Sequence, residues 1–258
     1  MRRRRITQIL PGVPFRLCLK TSWGRLFVWY DTSMKKLLLF DIDGTLLTGG
    51  GHDRFSRTIS KVHGLDVTSD KDFGGYTDYL ILAALLESEG WDDEQIKATM
   101  PKLLEEMDKM HAETFHADDM KLLPGVKKLL DKLKETESVL GLITGNMESI
   151  AKRKLEALGI WDYFSLGGYG SDPHIIRADL VKIAIERAGF KDNIKQVYVI
   201  GDTAKDIEAA HTAGVVNSIG VANGFRDIKE LSDAGAKYIF EDFKNPNVVL
   251  RVLGLSKK

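Results

Sequence analysis

The stretch Leu37–Leu47, LLLFDIDGTLL, decides how the rest of the chain is read. Four consecutive apolar residues, Leu37 to Phe40, form the short continuous run that a buried strand requires. The run stops at Asp41-Ile42-Asp43-Gly44-Thr45. Two carboxylates then stand two positions apart on one strand face, and a glycine lets the backbone turn away. The carboxyl edge of a parallel sheet is where α/β proteins bind ligands. Two adjacent negative charges there repel unless a cation is held between them. Magnesium is the expected cation, because it takes a few hard oxygen ligands and keeps some of its waters. A calcium loop of the EF-hand kind does not fit, since its glycine falls at position 6 and its glutamate at position 12. Counted from Asp41, Gly44 is at position 4 and position 12 is His52.

Beyond this strand the pattern turns helical after Gly49-Gly50-Gly51. Phe55, Ile59 and Val62 share a helix face that ends at Gly64. Thr77 can cap a helix through Leu80–Glu89, closed by Gly90, and Asp92 or Asp93 can open another reaching about Phe115, with Pro101 as a local irregularity. No strand pattern lies between residues 52 and 120, so this block reads as a helical insert. Regular alternation follows. A helix begins with Pro124 in its first turn; VLGLI at 139–143 is a strand ending in Thr144-Gly145-Asn146; Met147–Leu158 is amphipathic; Phe164–Gly168 is a short strand. Asp179–Ala188 is helical, VYVI at 197–200 is a strand ending in Gly201-Asp202, Ala204–Ala213 is helical, and Asn217–Val221 and Tyr238–Phe240 are strands. Strands alternating with helices of this length predict an α/β, doubly wound, Rossmann-like parallel sheet with helices on both faces.

Composition bounds the function. Of 258 residues, 43% are apolar and 29% charged, as in ordinary globular proteins, and no run approaches the roughly 18–20 apolar residues of a membrane helix. The sole cysteine, Cys18, cannot close an internal disulfide, and a reducing cytoplasmic setting is expected. A net charge of zero hides an asymmetry: residues 1–33 carry seven basic groups and one acid, and the remainder holds 30 basic and 36 acidic residues. A mildly acidic body argues against a nucleic-acid surface there. The basic head, Arg2 to Arg5 onward, lacks the unbroken apolar core of a secretory signal and the serines of a transit segment. It reads as a poorly ordered extension over 1–33, with Met34 an alternative start. The expected organisation is a core of 34–51 and 121–258 around a cap of 52–120.

Three strands end in polar residues: DIDGT at 41–45, TGN at 144–146 and GDTAKD at 201–206. Brought together, Asp41, Asp43, Asp202 and Asp206 form an acidic cluster able to hold a divalent cation. Thr144 offers a hydroxyl, and Gly145 permits close backbone approach, so that amides can cradle an anion. A metal-charged acidic pocket with anion donors suits a phosphate ester, whose phosphorus a carboxylate can attack.

These motifs, with Arg177 between the second and third, resemble the haloacid dehalogenase-like superfamily, and within it the phosphoglycolate phosphatase-like hydrolases, over about residues 35–245. The insert at 52–120 resembles the cap that many members carry. The resemblance implies magnesium-dependent hydrolysis of a small phosphate monoester through an aspartyl phosphate. Asp41 is then the nucleophile and a metal ligand, and Asp43 the general acid and base, with its main-chain carbonyl on the metal. Thr144, Gly145 and Arg177 hold the phosphoryl group; Asp202 ligates magnesium and Asp206 supports it. Relatives usually place lysine then proline where this chain has Ile176-Arg177-Ala178, and Lys182 competes with Arg177 for that role. Arginine's planar fork can serve there in bidentate fashion. Cap residues Gly74, Gly75, Thr77 and Asp78 are candidates to face the substrate, and His111 and His116 read as packing or surface residues. The alternative is a phosphotransferase of the phosphoglucomutase-like type using the same aspartyl phosphate. Dehalogenation is disfavoured, because those relatives lack an acid where Asp43 stands. The expected partner is a small phosphorylated substrate, with no nucleic acid and no membrane, bound by a monomer or small homo-oligomer.

Overall fold

The computed structural model of the chain describes residues 15–21, 24–30, 35–49, 54–172, 176–223 and 227–255, the first two segments as backbone. Arg2 to Arg5, Met34, Gly50, Gly51 and His52 lie outside the described residues.

Strands β3 (Leu37–Phe40), β6 (Val139–Thr144), β7 (Leu166–Tyr169), β8 (Val197–Gly201), β9 (Asn217–Val221) and β10 (Tyr238–Phe240) form one sheet in the order β10-β9-β8-β3-β6-β7. Every neighbouring pair is parallel. The chain builds outward from β3 to β6 and β7, then crosses back to lay β8, β9 and β10 on the other side. The order therefore reverses beside β3, the position at which doubly wound sheets open a binding crevice.

The period of two along β3 divides its side chains between two cores. Leu38 and Phe40 pack with residues of α4 (Val126–Lys134), α5 (Glu148–Ala157) and α9 (Pro246–Val252). Leu37 and Leu39 pack with residues of α6 (Arg177–Arg187) and α7 (Ala204–Thr212). All four β3 side chains are fully buried, which is why this strand reads as an unbroken apolar run. A further helix, α8 (Ile228–Asp233), contributes Leu231 to a smaller cluster with Ile207 and Ala222.

Helices α1 (Arg54–His63), α2 (Asp78–Ser88) and α3 (Asp93–Thr114) form the cap around a core of its own, including Phe55, Ile59, Leu82, Leu86, Leu103 and Met107. The helix starts are set by side-chain caps: Thr77 accepts from the Leu80 amide at 3.3 Å, and Asp92 and Gln95 form a reciprocal capping box at 2.9 Å. Pro101 sits inside α3 without ending it, flanked by the buried Met100 and Leu103. Ile150 of α5 belongs to the cap's apolar cluster and joins the two units.

Local differences from the sequence expectation have simple causes. Within the expected extension, β1 (Phe15–Thr21) and β2 (Gly24–Tyr30) pair as an antiparallel hairpin, separate from the main sheet. Their β-branched and aromatic residues, Phe27-Val28-Trp29-Tyr30 above all, favour strands, a cue that the basic composition obscured. The chain leaves and re-enters the core through β4 (Leu47–Gly49) and β5 (Met120–Leu122), an antiparallel pair of three-residue strands too short for a periodic signal. Pro124 precedes α4, whose N-cap is Gly125 in the left-handed region. β7 begins at Leu166, and Phe164 instead packs edge-on against Phe40 at 6.0 Å.

Cap and core also meet through a polar contact. Asp108 of α3 accepts from Arg153 and Ser149 of α5, each at 2.7 Å, and the Arg153 guanidinium lies 2.9 Å from His111 Nδ1. His111 is buried and stacked on Phe115. Burial, and then the nearby charges of Lys154, Arg54 and Arg153, push its pKa down to about 4. Between that value and about 6.5 the unfolded chain binds a proton that the folded chain refuses, so stability falls as pH drops through this window. Urea unfolding at pH 7 and at pH 4.5 should therefore show a smaller loss for His111→Gln than for the unsubstituted chain. Parallel losses would mean that His111 does not carry this dependence.

Candidate active site

Because β8, β3 and β6 are adjacent, their carboxyl tips bring Asp202, Asp41 and Thr144 side by side. The Asp41 amide donates to the Ile200 carbonyl at 2.8 Å and so extends the ladder to the first acid. The chain then turns sharply, with the Leu46 amide on the Ile42 carbonyl at 2.9 Å. Gly44 makes this turn at φ +84°, and any side chain there would collide with the Asp202 carboxylate.

Asp41, Asp202 and Asp206 are all buried, and oxygens of the three carboxylates lie within 4.8 Å of one another. Arg177, buried at the first position of α6, reaches two of them: its Nε donates to Asp206 Oδ1 at 2.6 Å, and its Nη2 donates to Asp41 Oδ1. The second oxygen of Asp206 accepts from the Thr203 amide at 3.0 Å and from the Thr203 hydroxyl at 2.7 Å. Asp206 is thus held from both sides by protein donors. Lys182, the competing cation, is exposed and paired with Asp179 at 2.9 Å. Burial, then the repulsion of Asp206, Asp202 and Asp43 against the single opposing charge of Arg177, raises the Asp41 carboxyl well above its usual range. Arg177 thus bridges Asp41 and Asp206, and the Thr45 hydroxyl donates to Asp202 Oδ1 at 3.4 Å. Asp41 and Asp202, with Asp206 behind them, are a donor set that could hold a divalent cation.

Asp43 belongs to a different arrangement. Its Oδ2 accepts from Asn146 Nδ2 at 2.6 Å and from Lys154 Nζ at 3.0 Å, and its Oδ1 accepts from Lys154 Nζ at 2.9 Å. Asn146 also donates to Thr144 Oγ1 at 2.8 Å and accepts from Lys154 at 3.1 Å. Burial works to raise the Asp43 carboxyl, but the charge and hydrogen bonds of Lys154, with Asn146 and Arg54, outweigh it and hold the pKa below its ordinary value.

The cap roofs this edge through residues 73–78. The Asp78 amide donates to the Gly145 carbonyl at 2.8 Å, and a side chain at Gly145 would strike the Tyr76 carbonyl. The close approach expected at Gly145 is therefore made by the cap. The buried Asp78 carboxylate accepts from Arg54 at 2.9 Å and from the Met147 amide at 3.0 Å. Lys205 donates to the Gly74 carbonyl at 3.2 Å and lies 4.3 Å over the Tyr76 ring. Between cap and strand tips lies a cleft of about 330 Å³, lined among others by Asp41, Asp43, Thr144, Lys154, Arg177 and Tyr76. Gly74, Gly75 and Asp78 also face it, whereas Thr77 is spent on its capping bond.

Asp41, Asp43, Thr144, Gly145, Arg177, Asp202 and Asp206 thus lie at this edge, and Lys182 does not. Sequence reasoning gave no role to Asn146, Arg54, Thr203 or Lys154. For Lys154 a signal existed: it falls among Ile150, Ala151 and Leu155 on the buried face of α5, where a solvated lysine has no place.

The haloacid dehalogenase-like hydrolase family matches residues 38–221 of the chain. A phosphoglycolate phosphatase of Mannheimia succiniciproducens is 26% identical over 221 residues, covering 82% of this chain and 96% of that protein. A phosphorylated carbohydrates phosphatase of Thermotoga maritima is 25% identical, covering 84% of this chain and 99% of that protein. The crystal structure of a hydrolase from Pseudomonas syringae superimposes with a TM-score of 0.64 at 23% identity, over 84% of this chain and 98% of that one, and shares the fold.

Removing one partner from a buried ion pair leaves an uncompensated charge, at a cost of about 3–5 kcal/mol. Arg177→Met should lose stability on that scale in urea unfolding, and an added divalent cation should restore part of it. A loss under about 1 kcal/mol would mean that Arg177 is not the charge that balances Asp41 and Asp206.

Proposed function

The chain belongs to the haloacid dehalogenase-like hydrolases, and from that membership we propose that it is a magnesium-dependent phosphatase hydrolysing a small phosphate monoester through an aspartyl phosphate on Asp41. The observation that carries the proposal is the buried acid set at the tips of β3 and β8, with Arg177 bridging Asp41 and Asp206, beside the Thr144 hydroxyl and beneath the cap. The same set is the fit for magnesium: Asp41 and Asp202 as carboxylate ligands, the Asp43 main-chain carbonyl as a further oxygen, and Asp206 in support. When bound, magnesium neutralises charge on the phosphate and on Asp41.

The chain's own groups divide the chemistry. The Asp41 carboxylate attacks phosphorus while Asp43 gives its proton to the departing alkoxide oxygen, so the phosphorus–oxygen bond to the alcohol breaks as the bond to Asp41 forms. Asp43, now a carboxylate, takes a proton from the incoming water as that oxygen attacks phosphorus and Asp41 is released. Thr144 accepts hydrogen bonds from Asn146 through its oxygen, leaving its own hydrogen to donate to a phosphoryl oxygen. Arg177 is charged and fixed against Asp41, where it balances negative charge on the transferring group.

Two relatives act on phosphoglycolate and on phosphorylated carbohydrates, and a roofed cleft of about 330 Å³ favours esters of that size over polymers. The cap of residues 52–120 serves as the lid that limits water. Among the described residues no helix is long and apolar enough to cross a membrane. We assign the enzyme to the cytoplasm as a monomer or small homo-oligomer, with no nucleic-acid or membrane partner. The lone Cys18 and the acidic body support that assignment.

A phosphate-release panel of small phosphate esters should give magnesium-dependent turnover. Asp41→Asn should abolish turnover while the protein remains folded by circular dichroism, and full activity in that variant would sink the mechanism. Phosphate moved within a sugar instead of released to water would favour the phosphotransferase alternative. Magnesium at about 100 times its Kd should raise stability by about 2.7 kcal/mol, and Asp202→Asn should remove that gain. An unchanged gain would exclude Asp202 as a ligand.

A further inference from the structure

Lys154 is a buried cation that the steps above do not use. Only 1% of it is exposed, and it sits on the apolar face of α5 between Ile150, Ala151 and Leu155. An ammonium in such a place is costly unless it is paired. Its partners are Asp43, contacted through both oxygens at 2.9 and 3.0 Å, and Asn146 Oδ1 at 3.1 Å. The Asp43 side chain keeps 40% of its surface exposed while that of Lys154 keeps 2%, so both line the cleft but the lysine sits at its floor and the carboxylate presents the open surface.

The hydrogen bonds are asymmetric. Oδ2 takes two donors, Asn146 Nδ2 and Lys154 Nζ, whereas Oδ1 takes Lys154 alone. Oδ2 is thereby occupied, and Oδ1 has capacity left for a proton facing the cleft. Asn146 is itself tied to Thr144 through both its main-chain amide and its side-chain amide. One connected set of bonds therefore joins the phosphoryl-binding hydroxyl to the acid–base carboxylate, with Lys154 closing it at the cleft floor.

We propose that Lys154 is a positioning residue for the reaction: it fixes the Asp43 carboxyl so that Oδ1 meets the leaving oxygen, and it balances the negative charge that appears on Asp43 when the proton departs. This rests on the phosphatase reading. General acid catalysis matters most when the leaving group is a poor one, since an alkoxide must be protonated to depart and a nitrophenolate need not be. The side chain is buried but works through Asp43, so its loss carries a signature that a merely structural lysine lacks.

The test measures kcat/KM, which reports transfer of the phosphoryl group to Asp41, for p-nitrophenyl phosphate and for the best alkyl phosphate of the panel, such as phosphoglycolate. Lys154→Met should lower kcat/KM on the order of 100-fold for the alkyl ester and about tenfold or less for the aryl ester, as expected when only proton delivery is impaired. Asn146→Ala, which removes the other donor to Oδ2, should show the same bias and decides the matter if the lysine variant does not fold. Equal losses on both esters, in whichever variant folds, would overturn the proposal. Failure of the unsubstituted protein to release phosphate from either ester would instead overturn the phosphatase reading itself.

Discussion

Three buried carboxylates, Asp41, Asp202 and Asp206, meet at the strand tips with Arg177 bridging two of them, and much of the molecule is arranged around that crowding of like charge. Burying like charges together is unfavourable unless a further positive charge offsets them. The sheet tolerates the arrangement because β3 and β8 are anchored well away from it, by side chains buried on both faces. Gly44 allows the turn to pass close over Asp202, and Thr203 with Arg177 secures Asp206 from two directions. The fold thus fixes the acids through its own contacts, the condition under which charged groups act on a ligand without reorganising.

Asp41 and Asp43 are two residues apart, yet their surroundings drive them in opposite directions. Asp41 is pushed up by burial and by its acidic neighbours, whereas Asp43 is drawn down by Lys154, Asn146 and Arg54. Without a ligand these directions run opposite to the proposed roles, since a nucleophile must be ionised and a general acid protonated; a bound divalent cation would favour the Asp41 carboxylate, and a bound phosphate ester would favour the proton on Asp43. The set containing Asp41 brings three buried carboxylates together. The set containing Asp43 is nearly self-sufficient, with Lys154 as its counterion. A cation drawn to the cleft would meet the densest cluster of carboxylates at Asp41, Asp202 and Asp206, while Asp43 already has Lys154 as counterion.

Much of this was legible in the chain. Apolar runs ending in DIDGT, TGN and GDT specify strands with functional tips, and alternation with helices specifies the parallel sheet; the adjacency of β8, β3 and β6 then follows from the doubly wound order. Arg177 was singled out only through the family resemblance; the helix was expected to begin at Asp179, and the structure starts it two residues earlier, which sets Arg177 at the sheet edge. What stayed hidden depends on tertiary contact. Nothing local marks Asn146 or Thr203 as more than a turn residue and a helix cap. The β4–β5 pair is two three-residue strands more than 70 positions apart, and such a pairing leaves no periodicity behind. Lys154 lies between these cases. Its position on an apolar face was visible, but a partner for it could only be named once the fold set Asp43 directly against it.

The cap enters the same electrostatic account. Arg177, which balances Asp41 and Asp206, also points Nη1 at the Gly75 carbonyl at 3.4 Å, and Lys205 beside the third motif holds the Gly74 carbonyl. The amide of Asp78 is seated on the Gly145 carbonyl, one residue beyond Thr144. The cap loop is therefore tied to residues adjoining each of the three strand tips. Lifting it breaks these contacts together, and it exposes the acid set to water, where the interactions of every charge in the cleft weaken. The cap loop and the charged groups of the site therefore share contacts, and Gly145 lies where they meet. That accounts for the strictness of the Gly145 position, where the closeness of the Tyr76 carbonyl leaves no room for even a methyl group.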